Sequence, residues 1–125
     1  MAWRILIVDD EIPILLGFEE CFTRAGFDVT IAANGETALE AVGAHGFDAC
    51  LIDLKLPDTD GLVLAQAILK RLPDARLIAI TAYPDLFEFQ TVRDAGFHGY
   101  FAKPVSAEAI VHAVEELIFQ RNPEA

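Results

Sequence analysis

Long apolar runs are missing from this sequence. The longest, Ile5 to Val8 and Leu77 to Ile80 among them, are of strand length, far short of the roughly 20 residues that a membrane-crossing helix needs. The N-terminus carries no basic segment followed by an apolar stretch, so nothing reads as a secretory signal, and the cytoplasm is the expected location. Cysteine is scarce as well: Cys21 and Cys50 are the only two. Each lies within an apolar pattern, which favours reduced core thiols over a disulfide or a metal pair. Basic residues are few, nine Lys and Arg against 20 Asp and Glu, for a formal charge of −11. That excess repels nucleic-acid phosphates, and no basic patch interrupts it, so neither direct nucleic-acid binding nor membrane association is expected. His45, His98 and His112 are scattered rather than spaced as metal ligands.

What is present is the material of a globular protein. Hydrophobic residues make up 54% of the chain and charged ones 23%, with no long polar tract to read as disordered. A length of 125 residues fits one domain over 1–125, and Met1 reads as a natural start. Short apolar runs alternate five times with helix-period stretches. The predicted strands are Trp3 to Val8, Asp28 to Ala32, Asp48 to Ile52, Arg76 to Ile80 and Gly99 to Ala102. The predicted helices are Pro13 to Ala25, Glu36 to Val42, Leu62 to Leu72, Asp85 to Ala95 and Ala107 to Arg121. Local signals agree: Pro13 suits a first helical turn, Gly26 a helix end, and Asn34 and Ser106 helix starts. Five βα units with near-continuous apolar strands imply an α/β fold. We expect a doubly wound five-stranded parallel sheet with helices on both faces, in the flavodoxin-like order 2-1-3-4-5.

In such a sheet, ligands bind beyond the carboxyl ends of the strands, where strand order reverses. The residues expected there are polar. Strand one runs into Asp9, Asp10 and Glu11, strand three into Asp53, strand four into Thr81, and strand five into Lys103 and Pro104. If strands one and three are neighbours, Asp9, Asp10 and Asp53 share a small volume. Two like charges about 4 Å apart repel by roughly 4 kcal/mol at an effective dielectric near 20, so a cation or a protonated acid must relieve the cluster. Oxygen-only ligands favour Mg2+, which pairs one or two carboxylates with phosphate oxygens. A carboxylate can also be a phosphoryl nucleophile when cations and donors hold the transferring oxygens. Lys103 and the Thr81 hydroxyl are of the right type for that.

Over essentially its whole length the sequence resembles the receiver domains of two-component response regulators. The resemblance rests on Ile5-Leu6-Ile7-Val8-Asp9-Asp10-Glu11, on Asp53-Leu54-Lys55-Leu56-Pro57-Asp58-Thr59-Asp60-Gly61, and on Thr81-Ala82, Ala95-Gly96 and Tyr100-Phe101-Ala102-Lys103-Pro104. It implies that Asp53 accepts phosphate from a phosphohistidine on a histidine kinase or a histidine phosphotransfer protein. Asp10, Asp53 and the backbone carbonyl of Lys55 would hold Mg2+, with Asp9 acting through water. Thr81 and Tyr100 would form a switch pair, and the Lys103–Pro104 bond would be cis. Lys55 occupies a variable position of the family, near the path of hydrolytic water.

Any catalysis would be self-directed, the gain and loss of one phosphoryl group, rather than turnover. Two other readings stand beside this one. A receiver-like interaction module without phosphate switching would need the acids, hydroxyl and lysine to be idle. A small aspartate-nucleophile phosphohydrolase would want a second acid two residues after Asp53, where Lys55 stands. For output, Phe87 is expected to be exposed on the fourth helix, on the opposite side from Leu86, Phe89 and Arg93. It would mark a face of fourth helix, fifth strand and fifth helix for a downstream effector or a homodimer.

Overall fold

The computed structural model describes residues 2–121; Met1, with the reading attached to it, and 122–125 lie outside them. In chain order the elements are β1 (Arg4–Val8), α1 (Ile12–Arg24), β2 (Asp28–Ala32), α2 (Gly35–Ala44), β3 (Ala49–Asp53), α3 (Gly61–Arg71) and β4 (Arg76–Thr81). A 3-10 turn (Pro84–Leu86), α4 (Phe89–Asp94), β5 (Gly99–Ala102) and α5 (Ala107–Arg121) complete the chain. The five strands pair in parallel in the order β2-β1-β3-β4-β5, as expected. Among the described residues no helix is long and apolar enough to cross a membrane.

The two-residue period of the strands divides the core. Leu6, Val8, Cys50, Ile52, Leu77 and Ala79 face a cluster completed by Ala38, Val42, Leu64 and Ile68 from α2 and α3 and by Val92 from α4. Their alternate neighbours Ile5, Ile7, Leu51, Ile78 and Ile80 face Leu15, Phe18 and Phe22 of α1 and Ile110, Val114 and Ile118 of α5. The central strands are therefore apolar on both sides, which is why they read as continuous hydrophobic runs. Each large side chain so enclosed contributes roughly 1.5–3 kcal/mol relative to exposure. Burial also holds the Cys50 thiol up at about 12, so it is inert packing.

Helix ends follow the local signals. Pro13 lies in the first turn of α1, and Gly26 follows its end at φ 93°, a left-handed conformation that glycine adopts without steric cost. The Asn34 side chain accepts from Thr37 N at 2.8 Å, and that of Asp60 from Val63 N at 2.8 Å. Ser106 Oγ accepts from Ala109 N at a long 3.4 Å.

The fourth helix departs from expectation. In place of one helix over Asp85 to Ala95, a turn and a six-residue helix flank Phe87 and Glu88, both of which are extended. The Phe87 side chain is half-buried against the core, and its carbonyl accepts a 2.8 Å hydrogen bond from the Tyr100 hydroxyl. Tertiary burial and this bond outweigh the local helical preference. The expected exposure of Phe87 is thereby corrected: Phe89, at 60% relative exposure, and Leu86, at 65%, are the open side chains.

One glycine is required by the approach of two backbones. Gly61 N donates to Leu54 O at 2.7 Å, and a Cβ on Gly61 would stand 2.7 Å from Leu54 Cα and 2.9 Å from Asp53 O. Gly61→Ala must push α3 away from the end of β3, with an expected loss of about 1–3 kcal/mol, measured by urea unfolding. An unchanged midpoint would show that the approach is not tight.

Candidate functional site

The strand period that builds the core also builds the site. Asp9 continues the alternation of Ile5 and Ile7, Asp53 that of Ala49 and Leu51, and Lys103 that of Phe101, so all three lie on the α1/α5 side of the sheet. Their heights match because the ladders run to the strand ends. Val8 pairs with Ile52, Asp53 with Ile80 and Thr81 with Ala102. Asp9 N donates to Ala32 O at 3.1 Å and Lys103 N to Thr81 O at 2.8 Å, each extending a ladder by one residue. Lys103–Pro104 is cis.

The Lys103 ammonium stands 2.9 Å from Asp9 Oδ2, 2.9 Å from Glu11 Oε1 and 3.2 Å from Asp53 Oδ2. The other carboxylate oxygens face backbone: Asp9 Oδ1 accepts from Glu11 N at 2.9 Å and Asp53 Oδ1 from Lys55 N at 3.1 Å. Asp9, Asp53 and Thr81 are buried, whereas Asp10 and Glu11 are exposed. Asp9, Asp10 and Asp53 each bring one oxygen to within 4.8 Å of the others.

Burial pushes the Asp53 carboxyl up to about 6; the Lys55 amide opposes this, Asp9 adds to it, and Lys103 opposes it. Burial alone would lower the Lys103 ammonium. Hydrogen bonds to Glu11 and Asp9 and the charges of Asp53 and Asp9 outweigh it and hold Lys103 well above the usual lysine range. One cation thus serves three carboxylates, those of Asp9, Glu11 and Asp53, while the Asp10 carboxylate lies beside two of them. Buried Asp9 Oδ2 is charge-paired to Lys103 yet takes no hydrogen bond of good direction. An unfilled buried oxygen, surplus negative charge and an all-oxygen donor set fit a hard divalent cation.

The remaining predicted residues surround this cluster. Thr81 ends β4, and its Oγ1 accepts from Tyr83 N at 2.9 Å, which leaves the hydroxyl hydrogen available to donate. The Lys55 side chain lies over the Tyr83 ring, 4.3 Å from its centroid. Tyr100 is half-buried against the core, donates its hydroxyl to the Phe87 carbonyl and stacks on Phe89, with ring centroids 6.5 Å apart. Sequence reasoning gave no part to the Glu11 side chain, which competes for Lys103, although its place in the acidic run was a signal. It also missed Tyr83 and the bonds made by Asp58, which no local pattern announces.

Comparison with known proteins agrees with this geometry. The family described as the response regulator receiver domain matches residues 5–115. Sporulation initiation phosphotransferase F of Bacillus subtilis is 36% identical over 118 residues, covering 94% of this chain and 95% of that protein. Other relatives are longer: the chain spans 27% of the response regulator protein PilR of Pseudomonas aeruginosa and 49% of a probable transcriptional regulator of Cyanidium caldarium. The expected absence of nucleic-acid binding gains no support from such relatives. A CheY-like receiver domain from Methanospirillum hungatei superposes with a TM-score of 0.91 at 29% identity, covering 100% of both chains. A response regulator from Burkholderia pseudomallei, solved with a phosphorylated aspartic acid, a calcium ion and citrate, gives 0.80 at 28% identity, covering 98% of this chain and 74% of that one.

The electrostatics make a metal-free prediction. The Asp53 carboxyl, followed by carbon-detected NMR, titrates near pH 6; Asp9→Asn moves that midpoint down and Lys103→Ala moves it up. Because its folded-state value lies above the ordinary 3.8, its ionisation opposes folding, an effect relieved as pH falls from about 6 toward 4. A midpoint near 4, unmoved by either substitution, would contradict the arrangement.

Proposed function

We propose, from the premise that the chain belongs to the response regulator receiver domain family, that it is a phosphorylation-controlled signalling switch with Asp53 as phosphoacceptor. The observation that carries this reading is the convergence of Asp9, Asp53 and Lys103 at ion-pair distance on one end of the sheet. An Asp53 carboxylate oxygen attacks the phosphorus of a phosphohistidine on a histidine kinase or phosphotransfer protein. The new O–P bond forms as the P–N bond breaks, and the electron pair leaves with the imidazole nitrogen.

Mg2+ would be held by Asp10, Asp53 and the Lys55 carbonyl, with Asp9 acting through water; when bound, it neutralises the clustered charge and draws phosphoryl oxygens. Lys103 exchanges part of its pairing with Glu11 and Asp9 for a phosphoryl oxygen, and the Thr81 hydroxyl donates to another. Drawing Thr81 toward the phosphoryl group opens space behind it. Tyr100 then has an inward position to weigh against its bond to Phe87 and its stack on Phe89, so phosphorylation biases a two-state element. Catalysis is confined to gain and loss of this group.

The output face of this switch is α4, β5 and α5. Its support is the exposure of Leu86 and Phe89 and a cavity of about 480 Å³ lined by Phe89, Arg93, His98, Tyr100 and Leu117, among others. A downstream effector or a second copy of the chain is the proposed occupant.

Beryllofluoride imitates the phosphoryl group without a donor protein. Fluorine NMR of the parent is expected to show bound beryllofluoride only with Mg2+, together with a shift of the Tyr100 ring resonances, and Asp53→Asn abolishes both. Binding that survives Asp53→Asn, or needs no divalent ion, sinks the reading.

A further inference from the structure

The seven residues 54–60 join β3 to α3 and include Lys55. Within the loop, Leu56 N donates to Thr59 O at 3.3 Å, and Lys55 pairs with Asp60 in a single antiparallel bridge. The tip is tied to a distant element. Asp58 Oδ1 accepts from Gly35 N and Oδ2 from Glu36 N, each at 2.9 Å, so one carboxylate closes over the first turn of α2. Asn34 takes the next amide, that of Thr37, so the two side chains divide the unpaired donors of this helix start between them. The Gly35 and Glu36 amides hold the Asp58 carboxyl below the usual carboxylate range.

Two further contacts make this a clamp rather than a surface accident. Gly35 is buried against the loop, where a Cβ would stand 2.5 Å from Thr59 Cγ2. At the other end Ala32, the last residue of β2, accepts the Asp9 amide, and only Ala33 and Asn34 separate it from α2. The path from Asp9 through the end of β2, the start of α2 and Asp58 to the Lys55 loop is therefore bonded throughout. It starts at Asp9, a member of the acid cluster, and ends at the loop whose Lys55 amide donates to Asp53.

We propose that Asp58 is a positioning residue, which fixes the Lys55 loop against α2 and so sets the distance between the Lys55 carbonyl and the acids that follow β1. This rests on the metal reading given under Proposed function. A divalent ion that takes ligands from both the β1 and the β3 ends is sensitive to that distance, because Mg2+ demands near-ideal geometry. Groups behind the ligands typically change metal affinity by roughly 10–100-fold, and Asp58, acting through a loop with bonds of its own, belongs at the lower end.

The test is calorimetric titration of the metal-free chain with MgCl2, with urea unfolding of every variant. Asp58→Ala is expected to raise the Mg2+ dissociation constant about tenfold. Asp58→Asn, which keeps one acceptor oxygen, raises it less. Asn34→Ala removes the other bond at the same helix start, lowers unfolding stability, and leaves the Mg2+ constant as in the parent. In amide exchange without metal, Asp58→Ala speeds Lys55 as well as Gly35 and Glu36, whereas Asn34→Ala speeds Thr37. An unchanged constant in Asp58→Ala, or equal losses in Asp58→Ala and Asn34→Ala, overturns the inference while the metal reading stands. Failure of the parent to bind Mg2+ overturns the metal reading and this inference with it.

Discussion

The Lys103 ammonium shared among Asp9, Glu11 and Asp53 is the contact around which the site is arranged. Two of those carboxylates are buried, and like charges at that depth repel strongly, so without a cation at least one acid would stay protonated. One lysine does not balance its three acid partners, and burial, with the Asp9 charge adding to it, keeps the Asp53 carboxyl raised. The cluster is in this sense held short of charge balance. Such a site is suited to a divalent ion and, in the proposed reading, to a phosphoryl group whose oxygens the ion and the lysine together would hold.

This arrangement follows from the sheet. Parallel pairing in the order β2-β1-β3-β4-β5 brings the ends of β1, β3, β4 and β5 to one edge, and the strand alternation turns Asp9, Asp53 and Lys103 to one side. That much was legible in the sequence, because near-continuous apolar strands and the polar residue after each are local signals. Strand limits came within a residue for the same reason: Asp53 closes β3 rather than following it, and Trp3 stays outside β1.

What was not legible depends on contacts between distant segments. Asp85 to Ala95 has the composition of a helix, yet burial of Phe87 and the bond from Tyr100, thirteen residues on, break it. The break exchanges the roles of two phenylalanines, Phe87 turning inward and Phe89 outward. Asp58 resembles ordinary turn chemistry until Gly35 and Glu36 are seen beneath it, more than twenty residues away in the chain. The same Phe87–Tyr100 contact ties the segment before α4 to β5, the strand beside the end of β4 that carries Thr81.

The central claim is that one carboxylate among these acids carries the phosphoryl group. Borohydride reduces an aspartyl phosphate to homoserine, and tandem mass spectrometry of the chain after acetyl phosphate, Mg2+ and borohydride locates that residue. Homoserine at position 53 and at no other acid is the result the account predicts; homoserine at position 9 or 10, or at none, would contradict it.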